Sequence, residues 1–184
     1  RMRNVKVLKS LDTSGIGVAE WDLRHGRLVL SKRWLALLGY ETQEFGTDVQ
    51  SFWDLLHPDD VLAVQHAFEP LRSAGAANGS AECRIECKGG SWRWFELHAL
   101  VAERSVDGKP VRLISTARDI SDMRVAHERQ QLSESLFQHL HEGLLITDAN
   151  HRVLEVNPTF TEITGHARED LLGTVPSLMR PAET

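Results

Sequence analysis

The segment at residues 111–141 reads VRLISTARDISDMRVAHERQQLSESLFQHLH, and its pattern changes near Asp119. The first residues alternate with the period of two that is typical of a half-buried strand. One side of this strand carries Val111, Leu113, Ser115 and Ala117. The sequence then contains no Gly or Pro before Gly143, which predicts a helix of about five turns over residues 122–141. A strand that leads directly into a long helix, with more folded sequence beyond it, indicates a transmission element.

The composition favours folded domains that bind neither nucleic acid nor a bilayer. Of the 184 residues, 41% are hydrophobic and 26% are charged, which is enough apolar material for a buried core. The net charge is −5 with the two signs interspersed, so we expect no basic face for nucleic acid or anionic lipid. No apolar run approaches the roughly 18 residues that span a bilayer, so we expect no direct membrane insertion.

The ends of the sequence and its cysteines bear on location. The sequence opens with Arg1 and shows no signal peptide, so we expect a piece of a longer protein. Cys83 and Cys87 are too few for a disulfide framework, which favours a reducing compartment. We therefore predict a cytoplasmic region. A membrane anchor elsewhere in the full-length protein is compatible with this prediction.

The pattern along the chain predicts an α+β unit with one antiparallel sheet. Strands are predicted at residues 17–23, 27–30, 80–88, 92–104 and 111–118. Helices are predicted after Ser31, at 42–45, at 49–56 and from Pro58 to about Glu69. The resulting organisation is a lead-in helix at 1–13, a first domain at 14–121, a linker helix at 122–141 and a second domain at 142–184.

An internal repeat supports the second domain. A shift of 126 residues aligns positions 17–39 with 143–165 without a gap. The identical pairs are Gly17/Gly143, Asp22/Asp148, His25/His151, Leu28/Leu154 and Gly39/Gly165. A strand–turn–strand–helix–Gly unit that recurs at domain spacing indicates tandem copies. The second copy stops before its last three strands, so we expect a truncated domain that needs a partner surface or stays partly mobile.

Both units resemble PAS sensory domains. The first unit carries Leu56-His57-Pro58-Asp59-Asp60, Glu82-x-Arg84-Ile85, Gly89-Gly90-x-x-Arg93-Trp94 and Asp119-Ile120-Ser121. The second carries Ile146-Thr147-Asp148, Asn157-Pro158-x-Phe160, Thr164-Gly165 and Leu172-Gly173. The resemblance implies a five-stranded antiparallel sheet flanked by short helices, and it implies sensing, dimerisation and relay without catalysis by the domain itself. Ser31 and Trp34 stand where the second unit has Asn157 and Phe160, so the two pockets need not hold the same ligand.

The resemblance also implies a pocket between the sheet and the helix after Pro58. The candidate lining residues are Trp21, Trp34, His66, Cys83, Ile85, Phe95, Leu97, Ala99, Leu113 and Ser115. His66 lies roughly where haem-binding relatives carry their axial histidine, and Trp21 and Trp34 could stack on FAD or FMN. The alternatives are an exposed helical histidine, tryptophans that fill the core, and a colourless ligand or no cofactor.

Other candidate sites are weaker. Cys83 and Cys87 lie about 13 Å apart along one strand, too far to chelate one metal, and we interpret both as small buried hydrophobes. The outward row of Trp94, Glu96 and His98 is a solvated face or a contact surface. Homodimers are predicted through this outer face or through the helices. The linker helix offers an apolar stripe of Val125, Leu132, Leu136 and Leu140, interrupted by Arg129.

The resulting functional prediction is a sensory and relay module. A ligand, redox change or partner would be detected in the first domain, and Asp119, Ile120 and Ser121 would fix the joint to the linker helix, with Asp119 capping the helix or pairing with a basic residue. The output would be an effector in the same chain, such as a cyclic-di-GMP enzyme or a histidine kinase. The alternative is a ligand-free dimerisation module. No catalytic motif in the sequence supports an enzymatic function.

Overall fold

The computed structural model describes residues 15–72 and 76–176. The predicted lead-in helix at residues 1–13 lies outside the described residues. The chain divides into two compact units, Arg1–Met123 and Arg124–Thr184, and each is described by itself.

The first unit is an α+β domain with one five-stranded antiparallel sheet, as predicted. Its strands are β1 (Gly17–Asp22), β2 (Arg27–Leu30), β3 (Asn78–Glu86), β4 (Trp92–Arg104) and β5 (Pro110–Asp119). The order across the sheet is β2-β1-β5-β4-β3, so β5 lies at the centre although it is the last strand of this sheet in the sequence. Its helices are α1 (Lys32–Leu38), α2 (Val49–Trp53) and α3 (Val61–Phe68), and 3₁₀ turns lie at Pro58–Asp60 and Glu69–Arg72.

Three predicted helices are shorter than expected or missing. The helix expected at residues 42–45 is wrong, because only a turn forms there, with the Glu44 amide donating to the Glu41 carbonyl at 3.0 Å. The next helix, α2, ends at Trp53 rather than Leu56.

The helix expected from Pro58 to Glu69 is split. A 3₁₀ turn precedes α3, since the Asp60 amide donates three residues back to the His57 carbonyl at 2.9 Å. The α-helix ends at Phe68, and Pro70 lies in the second 3₁₀ turn, where a proline near the start has no hydrogen bond to lose.

The core lies between one face of the sheet and helices α1 to α3. Alternate residues of β3, β4 and β5 point into it, as their period of two predicts. Its buried residues are Ala19, Leu28, Trp34, Leu38, Phe52, Leu56, Val64, Cys83, Ile85, Cys87, Phe95, Leu97 and Ala117. Between α1 and β4, the rings of Trp34 and Phe95 lie with centroids 4.9 Å apart. Both rings are fully buried, so this pair fills the centre of the domain.

The second unit contains the end of the linker helix and the front half of a second domain. Helix α4 (Ser121–His139) begins in the first unit and ends in the second. It is followed by strands β6 (Leu145–Thr147) and β7 (Val153–Val156), and by helices α5 (Pro158–Thr164) and α6 (Arg168–Leu171). The two strands form an antiparallel pair. Ile146, Leu154 and Ile163 are exposed, as expected for a domain that lacks part of its sheet.

The repeat seen in the sequence is repeated in the hydrogen bonds. The Ser31 hydroxyl accepts from the Trp34 amide at 3.2 Å, which caps α1, and from the Val18 amide at 3.0 Å. One repeat later, the Asn157 carbonyl oxygen caps α5 by accepting from Phe160 at 3.0 Å, and it accepts from Leu144 at 2.7 Å. One side chain therefore ties the first strand of each unit to the first turn of the helix that follows β2 or β7.

We predict that Gly17→Ala destabilises the first unit by about 2 kcal/mol through overpacking. A Cβ at Gly17 would lie 2.8 Å from the Cα and Cβ atoms of Trp34, and backbone would have to shift. The control is Gly26→Ala, where φ is +65° and a Cβ meets no atom within 4 Å, so that only about 1 kcal/mol of backbone strain is expected. Urea denaturation followed by tryptophan fluorescence measures both. All five tryptophans lie in the first unit, and equal losses would contradict the prediction.

Candidate relay site

The junction between β5 and α4 is built from three polar side chains and from backbone bonds to one residue of β4. At the end of β5, Asp119 accepts from the Ser121 amide at 2.9 Å and from Nη1 of Arg93 at 2.8 Å. The Ser121 hydroxyl accepts from the Trp94 amide at 3.0 Å, and the Ile120 amide donates to the Trp94 carbonyl at 2.9 Å. Ile120 itself is buried. We call this group of five residues the exit joint.

The exit joint shows how Asp119 acts locally. Its carboxylate both holds the first amide of α4 and pairs with a basic residue, so the two roles predicted as alternatives occur together. An aspartate that bonds an amide two residues on replaces the intrahelical bond that a helix start lacks. The start of α4 is therefore bonded to β4 as well as to the end of β5, the strand that precedes it.

The segment at residues 55–60 covers the open edge of the sheet beside β3. The Glu86 amide donates to the Leu55 carbonyl at 2.8 Å, and the His57 amide donates to the Arg84 carbonyl at 3.0 Å. These bonds satisfy backbone groups that an edge strand leaves unpaired. The His57 ring caps the following 3₁₀ turn by accepting from the Asp59 amide at 3.3 Å.

A bidentate ion pair fixes this segment to β3. Asp60 accepts from Nε and Nη2 of Arg84 at 2.9 and 2.7 Å, and from the Arg84 amide at 2.8 Å. The hydrogen bonds from Arg84 hold the pKa of the Asp60 carboxyl below its ordinary value. The Asp60 side chain is only 14% exposed, so the pair is shielded from solvent on one side.

The ion pair also reaches the exit joint. The guanidinium carbon of Arg84 lies 5.3 Å from the centroid of the Trp94 ring, within cation–π range. Arg84 and Trp94 are register partners on β3 and β4, and the Trp94 backbone is part of the exit joint. A continuous set of contacts therefore runs from Asp60 through Arg84 and Trp94 to the start of α4.

Nine of the ten predicted pocket residues fall into two groups. Six of them are buried side chains in the interior of the first unit: Trp34, Cys83, Ile85, Phe95, Leu97 and Ala99. The other group lies where β1 pairs with β5. There the indole Nε1 of Trp21 donates to the Ser115 hydroxyl at 2.7 Å, and Trp21 is the register partner of Leu113. Trp21 and Leu113 are only partly buried, so this end of the interior is the more accessible one.

Both cysteines are inert in this setting. Burial, together with the charge of Asp60, raises the pKa of Cys83 to about 12. Burial also raises the pKa of Cys87. Neutral thiols that point into the core behave as small hydrophobic side chains, because the thiolate is the reactive form.

The structure does not bring His66 together with the other pocket residues. Its side chain is exposed and lies in a surface groove with Glu69, Pro70 and Arg72. The inward residue of α3 is Val64, which is fully buried. As placed here, His66 does not fit an axial haem ligand, and the packed rings of Trp34 and Phe95 leave no slot for a flavin between them.

Residues 15–72 and 76–176 contain neither a candidate metal site nor a candidate membrane-spanning helix. No three His, Cys, Asp or Glu side chains in this part of the chain are grouped as a metal would require. None of the helices described there is long and apolar enough to cross a membrane.

The sequence predicts a basic partner for Asp119 without identifying Arg93, and it does not predict the ion pair between Asp60 and Arg84. The latter two residues belong to separate motifs, and 24 positions separate them. The available signal is the period of two in β3, which places Arg84 on the face opposite Cys83 and Ile85.

We predict that Asp60→Asn lowers the free energy of unfolding of the first unit by about 2 kcal/mol at pH 7, because it removes the charge from three hydrogen bonds. The folded pKa of Asp60 is depressed, so its stabilisation is complete above about pH 4 and is lost as the pH falls through the folded value. The difference between parent and variant should therefore shrink in acid.

The matched control is Asp59→Asn, since Asp59 is 75% exposed and lies 3.7 Å from Arg84. We expect it to change stability by no more than about 0.5 kcal/mol. Tryptophan-monitored urea denaturation between pH 7 and pH 3 provides the measurement. Equal effects of the two variants, or a difference that is constant with pH, would refute the assignment.

Comparisons with known proteins agree with this fold. Sequence models of the PAS fold match residues 27–117 and, separately, residues 131–182. Among curated proteins, a neuronal PAS domain-containing protein 4-like from Danio rerio is 31% identical over 87 residues. That match covers 47% of this chain and 12% of the relative.

Solved structures show the same architecture at low identity. A sensory box histidine kinase/response regulator from Burkholderia thailandensis is 20% identical, with a TM-score of 0.61, over 71% of this chain and 95% of the other. The N-terminal domain of a diguanylate cyclase with PAS/PAC sensor from Marinobacter aquaeolei is 20% identical, with a TM-score of 0.51, over 59% and 98%. With PAS models matching both of its units, this chain belongs to the PAS family.

Proposed function

We propose that the first unit is a sensory domain whose state is relayed through the exit joint to α4. The observation that carries this proposal is the attachment of the helix start to the central part of the sheet. Both backbone bonding groups of Trp94 are used there, one by Ser121 and one by Ile120. Any displacement of β4 or β5 therefore moves the first turn of α4, because the hydrogen bonds at this turn have short range and defined direction.

The output proposed is an effector in the same protein. Two structural neighbours are named as a sensory box histidine kinase/response regulator and as a diguanylate cyclase with a PAS/PAC sensor. Their names combine sensing with an enzyme, and their identity to this chain is 20%. A histidine kinase or a cyclic-di-GMP enzyme in the cytoplasm is thus our inference for this protein, and the fragment itself acts as a non-catalytic module.

The signal is proposed to enter at the accessible end of the interior. Trp21, Leu113 and Ser115 meet there, and the Trp21 ring also contacts Phe52 edge-on at 5.0 Å. A small polar ligand could exchange its own hydrogen bonds for the one between Trp21 and Ser115. Ser115 lies on β5, four residues before Asp119, so this change would act on the strand that leads to the exit joint.

A second candidate function is dimerisation without a ligand. Two observations favour it: the interior is filled by Trp34 and Phe95, and α4 has no buried residue. Its stripe of exposed apolar side chains consists of Val125, Leu132, Leu136 and Leu140. The outer sheet face is less apolar, since Glu96 there pairs with Arg118 at 2.8 Å. A homodimer is therefore proposed through α4 rather than through the sheet.

We predict that Asp119→Ala changes the output of the full-length protein. The substitution removes a helix cap and the Arg93 ion pair, and the loss of a cap alone corresponds to a shift of about fivefold in the local equilibrium. In the 184-residue chain, the Ser121 amide should exchange faster by at least this factor.

The control is Asp122→Ala, which removes an exposed negative charge one residue further into α4. Effector activity should respond to the first substitution and not to the second. Unchanged output in Asp119→Ala would remove the exit joint from the relay.

Freshly purified protein is expected to show no Soret band and no flavin bands in the blue. The physical reason is that His66 is exposed while Trp34 and Phe95 occupy the interior. A Soret band that disappears in His66→Ala would show that His66 binds haem and would contradict this prediction. Flavin bands would contradict it too, and would identify the ligand.

A further inference from the structure

The two units differ in sequence throughout the first turn of their equivalent helices, and two of these positions concern the end of α4. With the shift of 126 residues, Ser31 corresponds to Asn157 and Arg33 corresponds to Thr159. The capping role is the same in both units, because Ser31 and Asn157 each accept the same pair of amide bonds. In the second unit, the side chains at these two positions also donate hydrogen bonds.

The side chains of Asn157 and Thr159 both donate to backbone carbonyls at the end of α4 and just beyond it. The Nδ2 group of Asn157 donates to the Glu142 carbonyl at 2.8 Å, and the Thr159 hydroxyl donates to the Leu140 carbonyl at 2.6 Å. Asn157 is completely buried, and its amide oxygen and nitrogen are both bonded. A serine in its place would keep the acceptor for the cap and lack the amide nitrogen that reaches Glu142.

The end of α4 is where such donors have an effect. The last carbonyls of a helix have no partner within the helix. Here the Leu140 amide still bonds to the Leu136 carbonyl at 3.0 Å, so the last turn reaches Leu140, whose own carbonyl is bonded by Thr159. The helix end is thereby attached to the first turn of α5, within the second unit.

We propose that Asn157 and Thr159 form a receiving joint that fixes the end of α4 to the first turn of α5 in the second PAS unit. They are positioning residues that the first unit lacks at the equivalent positions. The role of the receiving joint in passing on a signal rests on the proposed function, whereas the existence of the joint is a structural proposal. Together with the exit joint, it would bond α4 to sensory domains at both of its ends.

The test uses amide exchange measured by NMR on the 184-residue chain and on two variants, Asn157→Ser and Thr159→Val. Each variant removes one bond to the end of α4, and we expect the Leu140 amide to exchange about fivefold faster in each. The Phe160 amide should keep its protection in both variants, because a serine caps α1 in the first unit and Thr159 does not cap α5.

The control is Thr161→Val, which removes a hydroxyl that donates to the Pro158 carbonyl within α5 and does not touch α4. It should leave the exchange of Leu140 unchanged. Parent-like exchange of Leu140 in both variants would overturn the proposal. So would equal acceleration of Leu140 and Phe160, because that result means general loosening of the unit. Neither result depends on Asp119→Ala, which tests the relay.

Discussion

The backbone of Trp94 is the point on which the organisation of the first unit depends. Its amide and carbonyl would each be unpaired beyond the end of β5, since β5 leaves the sheet at Asp119. Ser121 and Ile120 take these two bonds, and so the chain that turns away into α4 completes the hydrogen bonding of β4. Buried backbone groups without partners are costly. This cost selects a helix start at this position.

The same constraint explains the arrangement of charges at the edge of the sheet. The segment at residues 55–60 satisfies the edge of β3, and the ion pair between Asp60 and Arg84 holds it there. The guanidinium of Arg84 lies against the Trp94 ring, whose residue also carries the exit joint. The edge, the central strands and the helix start therefore share one set of neighbours.

Much of this fold could be predicted from the sequence, because its strongest signals are local. The period of two located β3, β4 and β5 and identified Cys83 and Ile85 as inward residues, which the structure confirms. The long helix and the repeat were also visible locally. Pairs between distant segments were not, since neither the Asp60–Arg84 contact nor the split of the helix after Pro58 has a local pattern.

His66 shows a different reason for a limit to prediction. Its position in the chain matches that of a ligand, but successive residues of a helix are rotated by about 100°, so a residue two positions after the buried Val64 lies on the opposite side. The family resemblance indicates where His66 lies along the chain, whereas the geometry of α3 determines the side of the helix on which it lies. Only the place along the chain could be inferred from the resemblance.

The last question is how a helix attached at its start can carry a change. The exit joint consists of a few hydrogen bonds worth about 1 kcal/mol apiece, whereas the core of the first unit contains several buried aromatic and aliphatic side chains. The exit joint is therefore weaker than the domain on which it is built. Helix α4 itself buries none of its residues, and Arg129 interrupts its apolar stripe. Under the proposed relay, we therefore expect a change in the first unit to break the hydrogen bonds of the exit joint before it disrupts the core of that unit.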